Sequence, residues 1–353
     1  MRWLFFLCLV FLLASCKEKA ELLADSHPFV FSPSVSDINA DGVTLKAKVI
    51  ESSDAIVEYG FRFGLSESST LHKNGLNLDV EVEGMEFSSK LEGPALKGNQ
   101  FYYFRPVVRT ESGFFVFGPM SSFQYDGPGY QMTDIDGNQY PAVQLGNLIW
   151  MAENLKVSHY SNGDPIITDL SYFQWSNTNQ GAYSVYPSYF IMYPWFYHGE
   201  GVLDKLGGLY NWYAVVDERG LCPTGWRVPT DDDWKYLEGY ADSGFGIGDP
   251  VWDLSGPEGR GKDIGSKLMI RKRSWIQEFS GSDDFGFSGL PAGYLKQYGN
   301  FEGEWEKGRF WSATERDETT AWWRGLRVDG RNIVRDAWHK TVGFSVRCVR
   351  DVE

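Results

Sequence analysis

The chain has 353 residues, 42% of them hydrophobic and 16% aromatic, and a formal net charge of −14. That length suffices for two or three domains with real cores. No Lys/Arg run offsets the negative charge, which argues against nucleic acid as a partner and against electrostatic capture by anionic lipid.

Arg2 supplies a short positive start, and Trp3 to Leu13 form an apolar stretch of eleven residues. That is too short to span a bilayer and right for a signal peptide. Leu13-Ala14-Ser15-Cys16 follows and resembles the bacterial lipobox. The resemblance implies that residues 1–15 are removed and that lipid on Cys16 holds the mature chain, 353 − 15 = 338 residues, to a membrane. An ordinary secretory signal cleaved near Ala14 is the alternative. Residues 16–27 read as a polar tether, too poor in apolar side chains to pack. Its charges resemble the signals that carry some lipoproteins to the outer face of the outer membrane, and a solvated linker explains them equally. The expected location is the cell envelope.

Tryptophan marks a boundary. After the signal segment the first is Trp150, and thirteen fall between Trp150 and Trp338. Two folds with different core chemistry, hinged near Gly127-Pro128-Gly129, explain this. Residues 28–126 read as short strands at period two: Val43, Leu45, Ala47 and Val49 alternate with polar residues, as do Val57, Tyr59, Phe61 and Phe63. Phe101 to Arg109 and Phe114 to Phe117 suggest a hairpin. About seven strands without helical period predict an all-β sandwich. Leu96 to Tyr103 resembles the tyrosine corner of fibronectin type III domains, with no inter-sheet disulfide available.

Residues 130–353 open with turn signals at Asp136-Gly137 and Gly146-Asn147. Thr168 to Gly201 is rich in Tyr, Trp, Ser and Pro without period and is expected to be an irregular insertion. Leu209 to Val216 is expected to be a helix with Leu209, Trp212, Tyr213 and Val216 on one face. A second helix is predicted after Thr230, a good N-cap. Asp231, Asp232 and Asp233 favour its positive start, Asp233 near a capping-box position, and Trp234, Leu237 and Tyr240-Ala241 form its buried stripe. Short strands in Gly-rich loops follow, around Phe310, Trp322 and Phe344.

With Cys8 removed and Cys16 lipidated, Cys222 and Cys348 remain, and in an oxidising compartment a disulfide is the simplest reading. A catalytic thiol or metal pair is the alternative, without a CxxC or His cluster nearby.

Cys222-Pro-Thr-Gly-Trp-Arg-Val-Pro-Thr230 with Trp234, Gly289-Leu-Pro-Ala-Gly293, Phe310-Trp-Ser312 and Phe344-Ser-Val-Arg-Cys348-Val-Arg350 resemble the Fibrobacter succinogenes major paralogous domain. Asn154-Leu155-Lys156 and Gly208-Leu-Tyr-Asn-Trp212 match earlier blocks of the same family. The resemblance implies an α+β, C-type-lectin-like fold with a Trp-rich sheet and a disulfide from a helix start to the final strand, which suits Cys222 and Cys348. Members are typically exported proteins of Bacteroidetes and relatives, often lipoproteins with sandwich domains in front.

Fold alone gives no activity. Trp311-Ser312-Ala313 lacks the ligand pair of calcium-dependent lectins, so no metal or other cofactor is expected. His27, His72, His159, His198 and His339 lie apart without metal-ligand spacing, and no P-loop, GxSxG or triad pattern appears. The expectation is a non-catalytic module binding a glycan or protein partner through Trp311, Trp322, Trp323 and Arg324. Core packing is the alternative for these tryptophans, and adjacent Trp322 and Trp323 must face opposite ways on a strand. An enzyme on the same fold, or a structural accessory of the envelope, are the other readings.

Overall fold

The computed structural model describes residues 28–352 apart from 40, 51–52, 68–69, 71–79, 94–95, 97–99, 126–128, 188–200, 272–280 and 305. The signal segment, Cys16 and the tether lie outside the described residues. So do Gly127 and Pro128 of the expected hinge, and residues 188–200 of the aromatic insertion. The chain forms two compact units. Among the described residues, no helix is long and apolar enough to cross a membrane.

The first unit contains β1 (Phe29–Asn39), β2 (Gly42–Ile50), β3 (Ile56–Gly64), β4 (Glu81–Glu83), β5 (Glu86–Glu92), β6 (Gln100–Thr110), β7 (Phe115–Phe117) and β8 (Ser121–Tyr125). One sheet has the order β1-β2-β5-β4, and the other runs β3-β6-β7 with β8 also on β6. With β7 and β8 taken as one interrupted strand, this is the four-plus-three order of immunoglobulin-like sandwiches. The alternation in β2 holds, with Val43, Leu45, Ala47 and Val49 all buried. In β3 it fails at Val57, which is exposed because the register with β6 shifts between Ile56 and Glu58. Beyond that bulge Phe61 is buried, and it meets Phe87 of the other sheet at 5.1 Å between ring centroids. Residues 97–99 of the expected tyrosine corner lie outside the described residues. Tyr102 beyond them is buried and stacks on Phe63 and Phe123 at 4.9 and 5.5 Å.

The second unit contains β9 (Tyr130–Thr133), β10 (Gln139–Leu145), β11 (Leu148–Met151), α1 (Tyr172–Asn177), β12 (Tyr183–Ser184), α2 (Val202–Leu206), β13 (Leu209–Tyr210) and α3 (Trp212–Val215). Then come α4 (Asp231–Ala241), β14 (Gly256–Arg260), α5 (Ile264–Leu268), β15 (Ala292–Leu295), β16 (Phe301–Glu304), β17 (Lys307–Glu315), β18 (Thr320–Arg327), β19 (Ile333–His339) and β20 (Val349–Asp351). One sheet has the order β20-β11-β10-β9, and a six-stranded sheet runs β14-β19-β18-β17-β15-β16.

Helix α4 is the helix predicted after Thr230. The Thr230 hydroxyl accepts from the Asp233 amide, and the Asp233 carboxylate accepts from the Thr230 amide at 2.7 Å, closing the capping box. Trp234, Leu237 and Ala241 are buried at helical spacing. The helix expected over 209–216 is cut short. Leu209 and Tyr210 pair with Ser184 and Tyr183 as strands, and Asn211 caps a single turn by accepting from the Ala214 amide at 3.0 Å. The expected irregular insertion contains a capped helix, α1, whose Ser171 and Gln174 form a second capping box.

Cys222 and Cys348 are joined, with Cα atoms 6.0 Å apart across a separation of 126 residues. Arg347, fully buried beside Cys348, ties together the blocks that the sequence kept apart. It donates to the Asn154 side chain at 2.9 Å and to the carbonyls of Met151, Phe287 and Ser288 at 2.8–2.9 Å. Asn154 in turn donates to the Leu206 carbonyl at 2.8 Å. Those blocks are therefore joints of the fold.

Candidate functional site

The sheet built by β17, β18 and β19 presents two faces of different chemistry. Antiparallel partners share a face, and successive residues alternate. Phe310 pairs with Arg324 and Arg324 with Arg335, on the face packed by α4. Arg309 pairs with Gly325, Trp311 with Trp323 and Trp323 with Asp336, on the other.

On the first face Arg324 donates to Asp231 and Glu238 of α4, at 2.7 and 2.5 Å. Arg335 donates to Asp231 at 2.7 Å, and Arg260 pairs with Glu238. Burial alone would raise the Asp231 carboxyl, but hydrogen bonds from Arg335 and Arg324 and their charges hold it well below the usual carboxylate range. Burial draws Arg260 down to about 10, partly offset by Glu238. Asp231 thus does more than favour a helix start: it fastens α4 to the sheet. Trp322 lies over the same face with the Arg335 guanidinium carbon 3.6 Å from its ring centroid.

This corrects the expected binding residues. Trp311 is 0% exposed, Trp323 6% and Arg324 0%. Trp311 meets Phe344 at 4.5 Å and donates its indole N–H to the Tyr210 carbonyl at 2.8 Å. Arg324 is saturated by carboxylates. Neither can form an exposed platform. Trp322 is half-buried against Arg335, and Trp323 reaches the surface only at the edge of a cleft.

That cleft is on the second face. Its volume is about 430 Å³, and Lys307, Arg309, Trp323, Gly325, Asp336 and Trp338 line it. The Arg309 guanidinium carbon stands 3.8 Å from the ring centroid of Tyr294, 4.5 Å from Trp338, 4.7 Å from Trp323 and 5.7 Å from Phe344. Burial draws Arg309 down to about 10, offset in part by Tyr294, Glu302 and Asp336, so it stays charged at neutral pH. Burial and a hydrogen bond to Glu302 push Tyr294 up to about 12, so it stays neutral. Gly325 makes room for the cage: a Cβ there would lie 2.6 Å from the Trp323 ring. Arg309, Trp338, Asp336 and Lys307 escaped the sequence reading. The one local signal was the alternation of Val334, Asp336 and Trp338 in a strand that was not anticipated.

Two other groupings stand out. Tyr172, Phe173 and Tyr298 are exposed aromatics, and Tyr172 packs on the turn at Gly299 beside Tyr298. Separately, His159 Nδ1 lies 2.5 Å from Asp136 Oδ1 and 3.1 Å from Ser158 Oγ, and Ser158 Oγ donates to Asp136 at 2.9 Å. A Ser-His-Asp relay places its two partners on different ring nitrogens. Here both sit on Nδ1, so Ser158 is not set up as a nucleophile. Among the described residues, no group of three His, Cys, Asp or Glu side chains could hold a metal ion.

The first unit is similar to the solution structure of the sixth fibronectin type III domain from human fibronectin type III domain containing protein 3. The two are 16% identical over 29% of this chain and 87% of that one, with a TM-score of 0.19, so the sandwich assignment rests on the strand order. No curated protein matches the sequence. The Fibrobacter succinogenes major domain profile matches residues 143–350, more than half of the chain and every block joined by Arg347. The chain belongs to the Fibrobacter succinogenes major domain family.

Proposed function

We propose that this protein is an exported, lipid-anchored component of the cell envelope, probing its surroundings with a C-terminal unit that binds a glycan in the Arg309 cleft without transforming it. The cleft is the observation that carries the binding reading. Its volume of about 430 Å³ lies within the range of small-ligand sites, and it combines aromatic walls with few polar groups. Trp338 is half-buried and offers an indole to a sugar ring, while Lys307 donates and Asp336 accepts beside it. Anchoring rests on Leu13-Ala14-Ser15-Cys16 alone. The single-nitrogen geometry of Asp136, Ser158 and His159 supports the non-catalytic reading.

A C-type-lectin-like architecture for the second unit belongs to the same proposal. Helix α4, the Trp-rich sheet and a disulfide from just before α4 to just before β20 support it. A protein partner is the second reading, favoured by the exposed Tyr172, Phe173 and Tyr298. The test is a panel of polysaccharides offered to the full chain and to Trp338→Ala. Binding that depends on Trp338 supports the cleft; binding lost only in Phe173→Ala moves the site to the other aromatics.

A further inference from the structure

Arg309 is covered on its faces and half-buried in the cleft wall, with part of its edge unpaired. Three rings stand within 4.7 Å of its guanidinium carbon. Yet no carboxylate lies within ion-pair distance of it among the described residues, and its Nη1 has no protein hydrogen-bond partner. The Trp323 Nε1, from the neighbouring strand, also lacks one among the described residues, so two buried donors border this one cleft. With its faces covered by aromatic rings, a guanidinium accepts a partner only in its own plane. A planar oxyanion meets that edge with two parallel hydrogen bonds.

The charge around it points the same way. Lys307, Arg309 and Arg327 line the cleft beside one lining carboxylate, Asp336, with Glu302 near enough to act on Arg309 and Lys307, in a chain whose net charge is −14. Strands β17 and β18 each have a hydrogen-bonded neighbour on both sides, and β19 pairs with β14 at Ile333 and Arg335. The floor of the cleft on β17 and β18 thus offers no backbone edge for β-augmentation by a peptide strand. What remains is side-chain recognition: cation, aromatic ring and one acceptor, a set that suits a hydroxyl-rich ring bearing a carboxylate.

We propose that the cleft takes an acidic saccharide, with the carboxylate of a hexuronate-type residue edge-on to Arg309 and its pyranose ring against Trp338. This rests on the glycan-binding reading and narrows it. The probe is a galacturonate tetramer and its methyl ester, titrated into the full chain in detergent. The free acid is expected to bind at least about 10-fold tighter than the ester, as suits a charge-assisted bidentate contact. In Arg309→Gln, its folding checked by near-ultraviolet circular dichroism, the acid-to-ester ratio should collapse towards one, because the cation that meets the carboxylate is gone, while Arg309→Lys should keep part of the preference as a point charge. The acid-to-ester comparison on the unaltered chain stands even if either variant misfolds. Equal binding of acid and ester overturns the proposal, as does a poly-glutamate peptide that binds as tightly and competes. Binding of neutral glycans alone refutes the acidic specificity and leaves the glycan reading intact; no binding of any glycan refutes both.

Discussion

The guanidinium carbon of Arg309 stands 3.8 Å from the centroid of the Tyr294 ring, inside a cage completed by Trp323, Trp338 and Phe344. A cation held this way is desolvated but not neutralised, and each stacked ring offsets part of the cost. The arrangement depends on Gly325, because a side chain there would displace the Trp323 ring. Gly325→Ala is expected to leave the protein folded and to weaken ligand binding; unchanged affinity would mean that the Trp323 ring plays no part.

Trp311 of β17 and Trp322 of the neighbouring β18 should respond differently to truncation. Trp311 and Trp323 belong to the main core of the second unit. Trp311→Ala is expected to cost about 3–5 kcal/mol, as for other large aromatic core truncations. Trp322→Ala loses chiefly the stack on Arg335 and should cost about 1–2 kcal/mol. Chemical denaturation measures both, and equal losses would contradict the assignment of faces.

Glu238 is fully buried between Arg324 and Arg260. Glu238→Gln leaves two buried cations short of a counter-charge and should destabilise by about 3–5 kcal/mol. Asp231 gives the same network a pH dependence. Its folded-state value lies below the ordinary 3.8, so its contribution is fully present above the unfolded value and is lost as the pH falls below about 4. Melting temperature should hold between pH 8 and 5 and decline below 4. Asp231→Asn should melt lower throughout, with a shallower acid decline; a decline as steep as in the unaltered chain would place the acid sensitivity elsewhere.

The disulfide closes a loop of 126 residues, which in the chain-entropy model is worth about 4–5 kcal/mol. Cys222→Ser should lower stability by that order. Two free thiols in protein isolated from an oxidising compartment would contradict the pairing.

Cys16→Ala tests the anchor. Palmitate labelling and membrane fractionation should both be lost. Unchanged fractionation with no labelling in either form would assign the membrane association to something other than lipid.

How far the sequence speaks depends on whether the signal is local. Helix α4 was legible because Thr230, Asp233, Trp234 and Leu237 state its cap and its buried stripe within eight residues. The disulfide was legible because only two cysteines remained once Cys8 and Cys16 were assigned. The family blocks were legible as text, but their reason, Arg347 binding Asn154 from 193 positions away, was not. Strand β19 was missed because Arg335 and Asp336 break its apolar pattern, and Arg335 is explained only by Asp231, 104 positions earlier. The expected helix at Leu209 failed because Asn211 supplies a cap that the periodicity ignored. The Arg309 cage draws Tyr294, Trp323, Trp338 and Phe344 from separate segments, so no window of sequence contains it. Counting tryptophans suggested a platform, while packing made Trp311 and Trp323 core.

The most direct measurement is a titration of the full chain with the polysaccharides selected on the panel, repeated for Trp338→Ala and Phe173→Ala. The account predicts that Trp338→Ala weakens binding by at least about 1 kcal/mol, as hot-spot truncations do, while Phe173→Ala binds like the unaltered chain. Binding that survives Trp338→Ala and disappears in Phe173→Ala, or no glycan bound at all, would contradict it.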